Sequence, residues 1–292
     1  MSTSNSNAIS SKFVPSSDGS LIYAEAVGDP NKPALVLVPG YTLSTQVFDK
    51  QFDDEEMRKE LFLIRYDPRG HGQSAKPEKE EGHTSKLYAD DFAVVCKAFG
   101  VRKPVFAGWS LAAVILADIC THLGPDAISG GILLAGIPAL TPAGFTVVPP
   151  QVLTLVPGIQ SEDTALHKKA IIDFANATLF ANPESVPFSV RCAWMGSAMF
   201  MSPTVMKLVV NRVQSMKELD EAGKTGKLKL LCINGEKDAH RTSGMAIVEF
   251  LKPNFPDVEV IEIKDAGHAF FYEKPEETNE GLLEFTKRMV RQ

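Results

Sequence analysis

The segment FAGWSLAAVI, Phe106–Ile115, sets a single hydroxyl between two apolar runs. Upstream, Lys103-Pro104-Val105-Phe106 reads as a short strand interrupted by Gly108. Downstream, Leu111, Val114, Ile115, Ile119 and Leu123 recur at helical spacing until Gly124-Pro125 ends the pattern. Ser110 therefore lies where a strand turns sharply into a helix. Two chemistries suit that place. Serine is a good N-cap, its oxygen accepting an orphan amide hydrogen; it is also a nucleophile when held at a strained elbow. The stretch alone leaves both open.

A serine nucleophile needs a base to remove its proton and an acid to orient that base. In a parallel sheet these belong at the C-terminal ends of other strands. Of six histidines, His83, His122 and His167 fall in a loop and helical segments away from strand ends. His71, in the glycine-rich YDPRGHGQS, reads as a loop-ordering residue. His268, in KDAGHAFFYEKPEE, lies just beyond the last apolar run, and His240 is its rival one strand earlier. For the acid, LLCINGEKDAH offers Glu236 and Asp238; Asp265 is too close to His268 and reads as a turn residue. Asp238 with His268 one strand later gives the order Ser110, Asp238, His268.

The elements that must position these residues are legible as apolar runs without alternation. They lie at 34–38, 61–66, 104–108, 130–136, 228–234 and 258–263, the pattern of parallel strands buried on both faces. Helical patterns such as Ser85–Phe99 and Ser110–Leu123 separate most of them, so the fold class is α/β, a doubly wound, mostly parallel sheet. KFVPSSDGSLIYAEAVG adds an antiparallel hairpin at the start, and residues 1–11 read as a disordered tail. Residues 12–136 and 227–292 form the core. Between them, 137–226 lacks a convincing strand and carries helical patterns near 162–180, 185–200 and 203–216, the last with Ser202 as cap and Pro203 in its first turn. Such an insertion between two late strands is too long for a loop and predicts a helical cap. Five of the nine methionines lie between Met195 and Met216, beside Trp194 and Phe200. Soft side chains of this kind suit an adaptable apolar pocket, and Trp194, Met199 and Phe200 are the expected substrate contacts from the cap.

Composition narrows the function further. A chain of 292 residues, 44% hydrophobic and 23% charged, buries a large core without staples. A formal charge of −6 without a basic stripe argues against nucleic acid as a partner. No run reaches membrane-span length, so no membrane partner is expected. A polar N-terminus and four cysteines without paired spacing lead to the expectation of a cytoplasmic protein with reduced thiols and no zinc site.

Five segments in order carry a family resemblance: VPGYTLS, the GWSLA elbow, YDPRGHGQS, NGEKD and GHAFFYEKPEETNEGLLEF. Over roughly residues 20–290 the chain resembles an α/β-hydrolase, whose nucleophile–acid–histidine order it shares. Within that superfamily it is similar to the esterase and cofactor-free peroxidase (perhydrolase) type, through GYTLS, DPRGHGQS and the helical cap. Two departures stand out. The usual Gly-x-Ser-x-Gly ends here in Ala112, one methyl larger, and the usual His-Gly before the oxyanion loop is Pro39-Gly40.

The resemblance implies that Ser110 attacks an acyl carbonyl, His268 takes its proton and Asp238 holds the imidazole. The amides of Leu111 and Tyr41 would form the oxyanion hole, with Tyr41 and Trp109 flanking the carbonyl. No metal or organic cofactor is required. The implied activity is a serine hydrolase acting on a small to medium, mostly apolar carboxylic ester, thioester or lactone, with a small-molecule substrate as its partner. A lyase or peroxidase use of the same triad, and a slow ligand-binding receptor, are the alternatives. Serine at 110 speaks against aspartate-nucleophile chemistry.

Overall fold

A computed structural model describes residues 8–240 and 245–290. Eight strands form one sheet: β1 Ser10–Pro15, β2 Leu21–Val27, β3 Ala34–Val38, β4 Phe62–Tyr66, β5 Val105–Trp109, β6 Gly130–Leu134, β7 Leu230–Gly235 and β8 Glu259–Ile263. Their order is β1-β2-β4-β3-β5-β6-β7-β8. β1 and β2 pair antiparallel with each other, as do β2 and β4, and all other pairs are parallel. The mostly parallel sheet expected from the apolar runs is present. β3 to β7 are buried along their whole length because helices cover both faces.

Three local expectations change. The hairpin begins at Ser10, inside the expected tail, because Ser10 and Ser11 pair with Ala26 and Glu25 on β2. This edge strand is held by backbone hydrogen bonds, with only Val14 buried, so its first residues, Ser10 and Ser11, carry no hydrophobic signature. Residues 1–7 lie outside the described residues. The pattern at 203–216 gives only the short helix Pro203–Leu208, with Ser202 Oγ accepting from the Val205 amide as expected of the cap. The remainder must cross the helix Ile115–Leu123 to place Arg212 and Gln214 against Asp118. Finally, Lys217–Lys224 packs on the Ile115–Leu123 helix and leads into β7, so it serves the sheet.

Between β6 and the Lys217–Lys224 helix, the described residues include no strand. The chain instead runs through short turns and the helices Thr164–Thr178, Phe188–Ala198 and Pro203–Leu208. Its return to the sheet is fixed by a buried polar knot. Arg212 Nε and Nη2 donate to Asp118 Oδ2 at 3.1 and 2.8 Å, while Gln214 Nε2 and Ser85 Oγ donate to Oδ1 at 2.9 and 2.6 Å. The guanidinium also lies 3.8 Å from the centroid of the Tyr88 ring. Both partners of the ion pair are almost completely buried. Removing one member of such a pair strands the other charge, a loss of about 3–5 kcal/mol. Arg212→Met is therefore expected to lower the unfolding free energy by about 3–5 kcal/mol in urea titration; a loss under about 1 kcal/mol would contradict this role.

Candidate active site

The parallel register brings four strand ends to one edge. Val38 pairs with Gly108, so the loop after β3 and the turn after β5 leave the sheet side by side. Gly235 pairs with Ile263, so the loops after β7 and β8 do the same. Chemistry-bearing residues from these loops can therefore converge.

Ser110 is at φ +54°, a left-handed conformation that serine adopts only when its surroundings impose it. It opens a 3-10 turn, Ser110–Val114, that runs into the Ile115–Leu123 helix, and no side-chain capping bond is formed there. The N-cap alternative thus falls away, leaving the hydroxyl on a strained strand-to-helix elbow. The Ile137 amide donates to the Ser110 carbonyl at 3.0 Å and ties the elbow to the chain leaving β6. Ala112, where the family usually has glycine, is accommodated: its side borders a small internal void shared with Pro39, Gly40 and Ile115.

The loop after β3 lies against this elbow. A Cβ on Gly40 would lie 3.0 Å from the Ser110 Cβ and 3.2 Å from the Trp109 carbonyl oxygen, so any larger residue would press on the elbow. This places the Tyr41 peptide beside Ser110, and both residues face the same cavity as Leu111 and His268. The loop is held rigidly despite lacking the usual histidine. Asp67 Oδ1 accepts from the Thr45 amide at 2.7 Å, and the Tyr41 hydroxyl donates to the Met206 carbonyl at 3.0 Å.

At the other side of the cavity, a second close approach joins the loops that carry Asp238 and His268. A Cβ on Gly235 would sit 2.1 Å from the Gly267 carbonyl oxygen, so only glycine lets β7 end against the His268 loop. The Lys237 amide then donates to the Ala266 carbonyl at 2.9 Å. As a result His268 Nδ1 donates to Asp238 Oδ2 and Oδ1 at 3.0 and 3.1 Å. The His240 amide adds a bond to Asp238 Oδ1 at 2.7 Å. Burial works against the charged form of Asp238. The charge and hydrogen bond of His268, with the His240 amide, nevertheless hold the carboxyl below its ordinary value. The His268 ring is buried, and its Nε2 meets no hydrogen-bond partner among the described residues. That nitrogen is uncommitted, and such contacts often tighten only when substrate is bound.

The rival acids are used elsewhere. Glu236 accepts from the Asp265 amide at 3.0 Å, while Asp265, at φ +56°, pairs with Lys237 at 2.6 Å and shapes the turn. Among the other histidines, Nδ1 of His71 bonds the Arg69 carbonyl, His83 the Tyr88 hydroxyl and His167 the Ile159 carbonyl, and Nε2 of His122 bonds Ser85. None of these four lines the cavity; His240 does. The described residues contain no group of three or more His, Cys, Asp or Glu side chains placed to hold a metal ion, and no described helix is long and apolar enough to cross a membrane.

The substrate contacts expected from the cap require correction. The cavity, about 330 Å³, is lined by Phe145, Val147, Val152, Val156, Phe174 and Val210, among others, but by none of Trp109, Trp194, Met199 or Phe200. Trp109 is buried behind the base, its Nε1 donating to the His268 carbonyl at 3.1 Å and its ring 5.3 Å from the imidazole. Trp194 packs on Trp109, Phe180 and Tyr272. Met199 and Phe200 end the Phe188–Ala198 helix on the surface, 53% and 74% exposed. Apolar content could not tell which turn of the segment between β6 and β7 faces inward. The lining from that segment comes chiefly from short helical turns at 144–159, whose irregular pattern gives no periodic signal.

This geometry ranks the carboxylates. Asp238→Asn keeps a partner for the ring but cannot stabilise an imidazolium, so ester turnover is expected to fall by about 10²–10⁴-fold. Glu236→Gln and Asp265→Asn should change it by less than about threefold. A larger effect at either of those would move the acid assignment.

Known proteins resemble this chain in sequence and in fold. The family model for the alpha/beta hydrolase family matches residues 35–280. A bifunctional esterase/perhydrolase of Acinetobacter calcoaceticus is 29% identical over 131 residues, 44% of this chain and 45% of that protein, so the match spans under half of this relative's length. An esterase from a Rhodococcus species superposes with a TM-score of 0.83 at 24% identity, covering 96% of this chain and 99% of the other. A bromoperoxidase from Bacillus anthracis does so with a TM-score of 0.78 at 20% identity, covering 95% and 100%. The order of strands, the elbow and the family match lead to one conclusion: this chain belongs to the alpha/beta hydrolase family.

Proposed function

We propose that the protein is a serine hydrolase that cleaves a small to medium, mostly apolar carboxylic ester through an acyl-enzyme on Ser110. The observation that carries this reading is a buried Asp238–His268 pair facing, across one apolar cavity, a serine strained at a strand-to-helix elbow. His268 Nε2 removes the Ser110 proton as Oγ attacks the carbonyl carbon. Asp238 keeps Nδ1 protonated and stabilises the imidazolium. The Leu111 and Tyr41 amides donate hydrogen bonds to the oxyanion; removing one donor of this kind typically costs about 3 kcal/mol of barrier. His268 returns the proton to the leaving alkoxide, the alcohol departs, and water attacks the acyl-serine by the reverse sequence.

The cavity supports the substrate class. At about 330 Å³ it lies near the lower end of ordinary small-molecule pockets, and its cap-side walls are Val, Phe and Pro side chains. A medium acyl chain gains from displacing water there, whereas a charged one would lose its hydration without a partner. Perhydrolysis is a second reading, favoured by the similarity to the esterase/perhydrolase of Acinetobacter calcoaceticus. Hydrogen peroxide would then take the acyl group from Ser110 in place of water, giving a peroxy acid.

The test is a panel of p-nitrophenyl esters of graded acyl length. Ser110→Ala should lose at least about a thousandfold in kcat/KM on every ester; near wild-type turnover would end the serine reading. Val156→Phe, which narrows the cavity, should depress the longer acyl esters about ten- to hundredfold relative to acetate. An unchanged length profile would mean that the acyl group binds elsewhere.

A further inference from the structure

The loop after β7 supplies a second imidazole that the mechanism above does not use. The His240 ring lies face to face with that of His268, centroids 3.8 Å apart and planes only 7° from parallel. Phe174 meets the His240 ring at 5.2 Å and 77°, and Trp109 contacts the His268 ring at 5.3 Å and 40°. The same residue also reaches the acid, its amide donating to Asp238 Oδ1 at 2.7 Å. His240 thus touches both partners of the base-orienting pair while forming part of the cavity wall.

The base needs such a contact. The torsion that sets an imidazole plane is broad, without deep staggered wells. A hydrogen bond from Nδ1 to a carboxylate fixes one direction in the ring plane. It leaves the ring free to rock about that bond, which would swing Nε2 away from Ser110. A flat surface laid on the ring removes this freedom. We propose that His240 is a positioning residue for the base, its ring face fixing the plane of His268 and supporting the positive charge that develops there. The proposal rests on the serine-hydrolase reading.

Three observations locate the effect in the face of the ring. The amide bond to Asp238 would be supplied by any residue except proline. His240 Nε2, although buried, meets no hydrogen-bond partner among the described residues. Burial, with the charge of nearby His268, pushes the His240 imidazole well below its ordinary value against the opposing pull of Asp238, so it stays neutral beside an imidazolium. A neutral aromatic face over a cation is attractive where a second cation would repel. Among the described residues, His240 meets Asp238 and His268 as titratable partners and Phe174 as an apolar one.

The test compares His240→Leu, which keeps bulk but not the flat face, with His240→Phe, which keeps the face but not the nitrogens. Wild type and both variants are first labelled with a fluorophosphonate and mapped, then assayed on p-nitrophenyl butyrate. His240→Leu should lower kcat about tenfold while KM stays within about twofold. His240→Phe should recover most of that loss. The proposal is overturned if His240→Leu is as fast as wild type, if the loss falls on KM, or if His240→Phe is as slow as His240→Leu. Should His240→Leu lack a cooperative melt, His240→Met takes its place with the same outcomes. Failure of wild type to label at Ser110 would instead overturn the serine reading beneath the proposal.

Discussion

A carboxylate and an imidazole cannot be taken out of water together unless each satisfies the other, and the Asp238–His268 pair sets this demand at the centre of the molecule. Stranding either one would leave a buried polar or charged group without compensation, at a cost of several kcal/mol. The surrounding chain is organised to avoid that. Gly235 permits two loops to touch, and the His240 amide satisfies a carboxylate oxygen. Glu273 accepts from the Gly267 and Ala181 amides at 2.6 and 2.9 Å, joining the base loop to the cap. The Ala269 amide donates to the Leu179 carbonyl at 2.7 Å and reinforces that join. The His268 loop is therefore held between sheet and cap, so the segment that lines the cavity also holds the imidazole in place.

Strain and rigidity are distributed accordingly. The left-handed serine persists because neighbouring loops over-determine it, with Gly40 beneath and the Ile137 amide on its carbonyl. Asp67 holds the loop after β3 from the far side through the Thr45 amide, and its second oxygen accepts from the Gln73 amide at 2.8 Å. The YDPRGHGQS loop is thus a brace for the loop after β3 and contributes no side chain to the cavity. This agrees with reading His71 as a loop-ordering residue.

Legibility in the sequence followed burial symmetry. β3 through β7 are covered on both faces, so each shows as an unbroken apolar run, and the ends of β5 and β7 pointed to Ser110 and Asp238; β8, only partly buried, is followed by His268. β1 is an edge strand with little burial and left no such trace. The cap announced its helices but not their facing: Trp194 turned into an aromatic cluster behind the base, Met199 and Phe200 turned to solvent, and irregular turns around Phe145 to Val156 took the lining role. Nor does any local pattern reveal that His240, the discarded rival, stacks on the histidine preferred over it. Such a contact depends on two loops from different strands, and register alone brings them together.

If the proposed mechanism holds, Ser110 carries the acyl group during turnover. Acid quenching of the protein within milliseconds of mixing with p-nitrophenyl butyrate, followed by peptide mass spectrometry, tests this most directly. One butyryl adduct is expected on the peptide containing Ser110, appearing with the burst of p-nitrophenol and absent from Ser110→Ala. Rapid turnover with no adduct, or with the adduct on another residue, would contradict it.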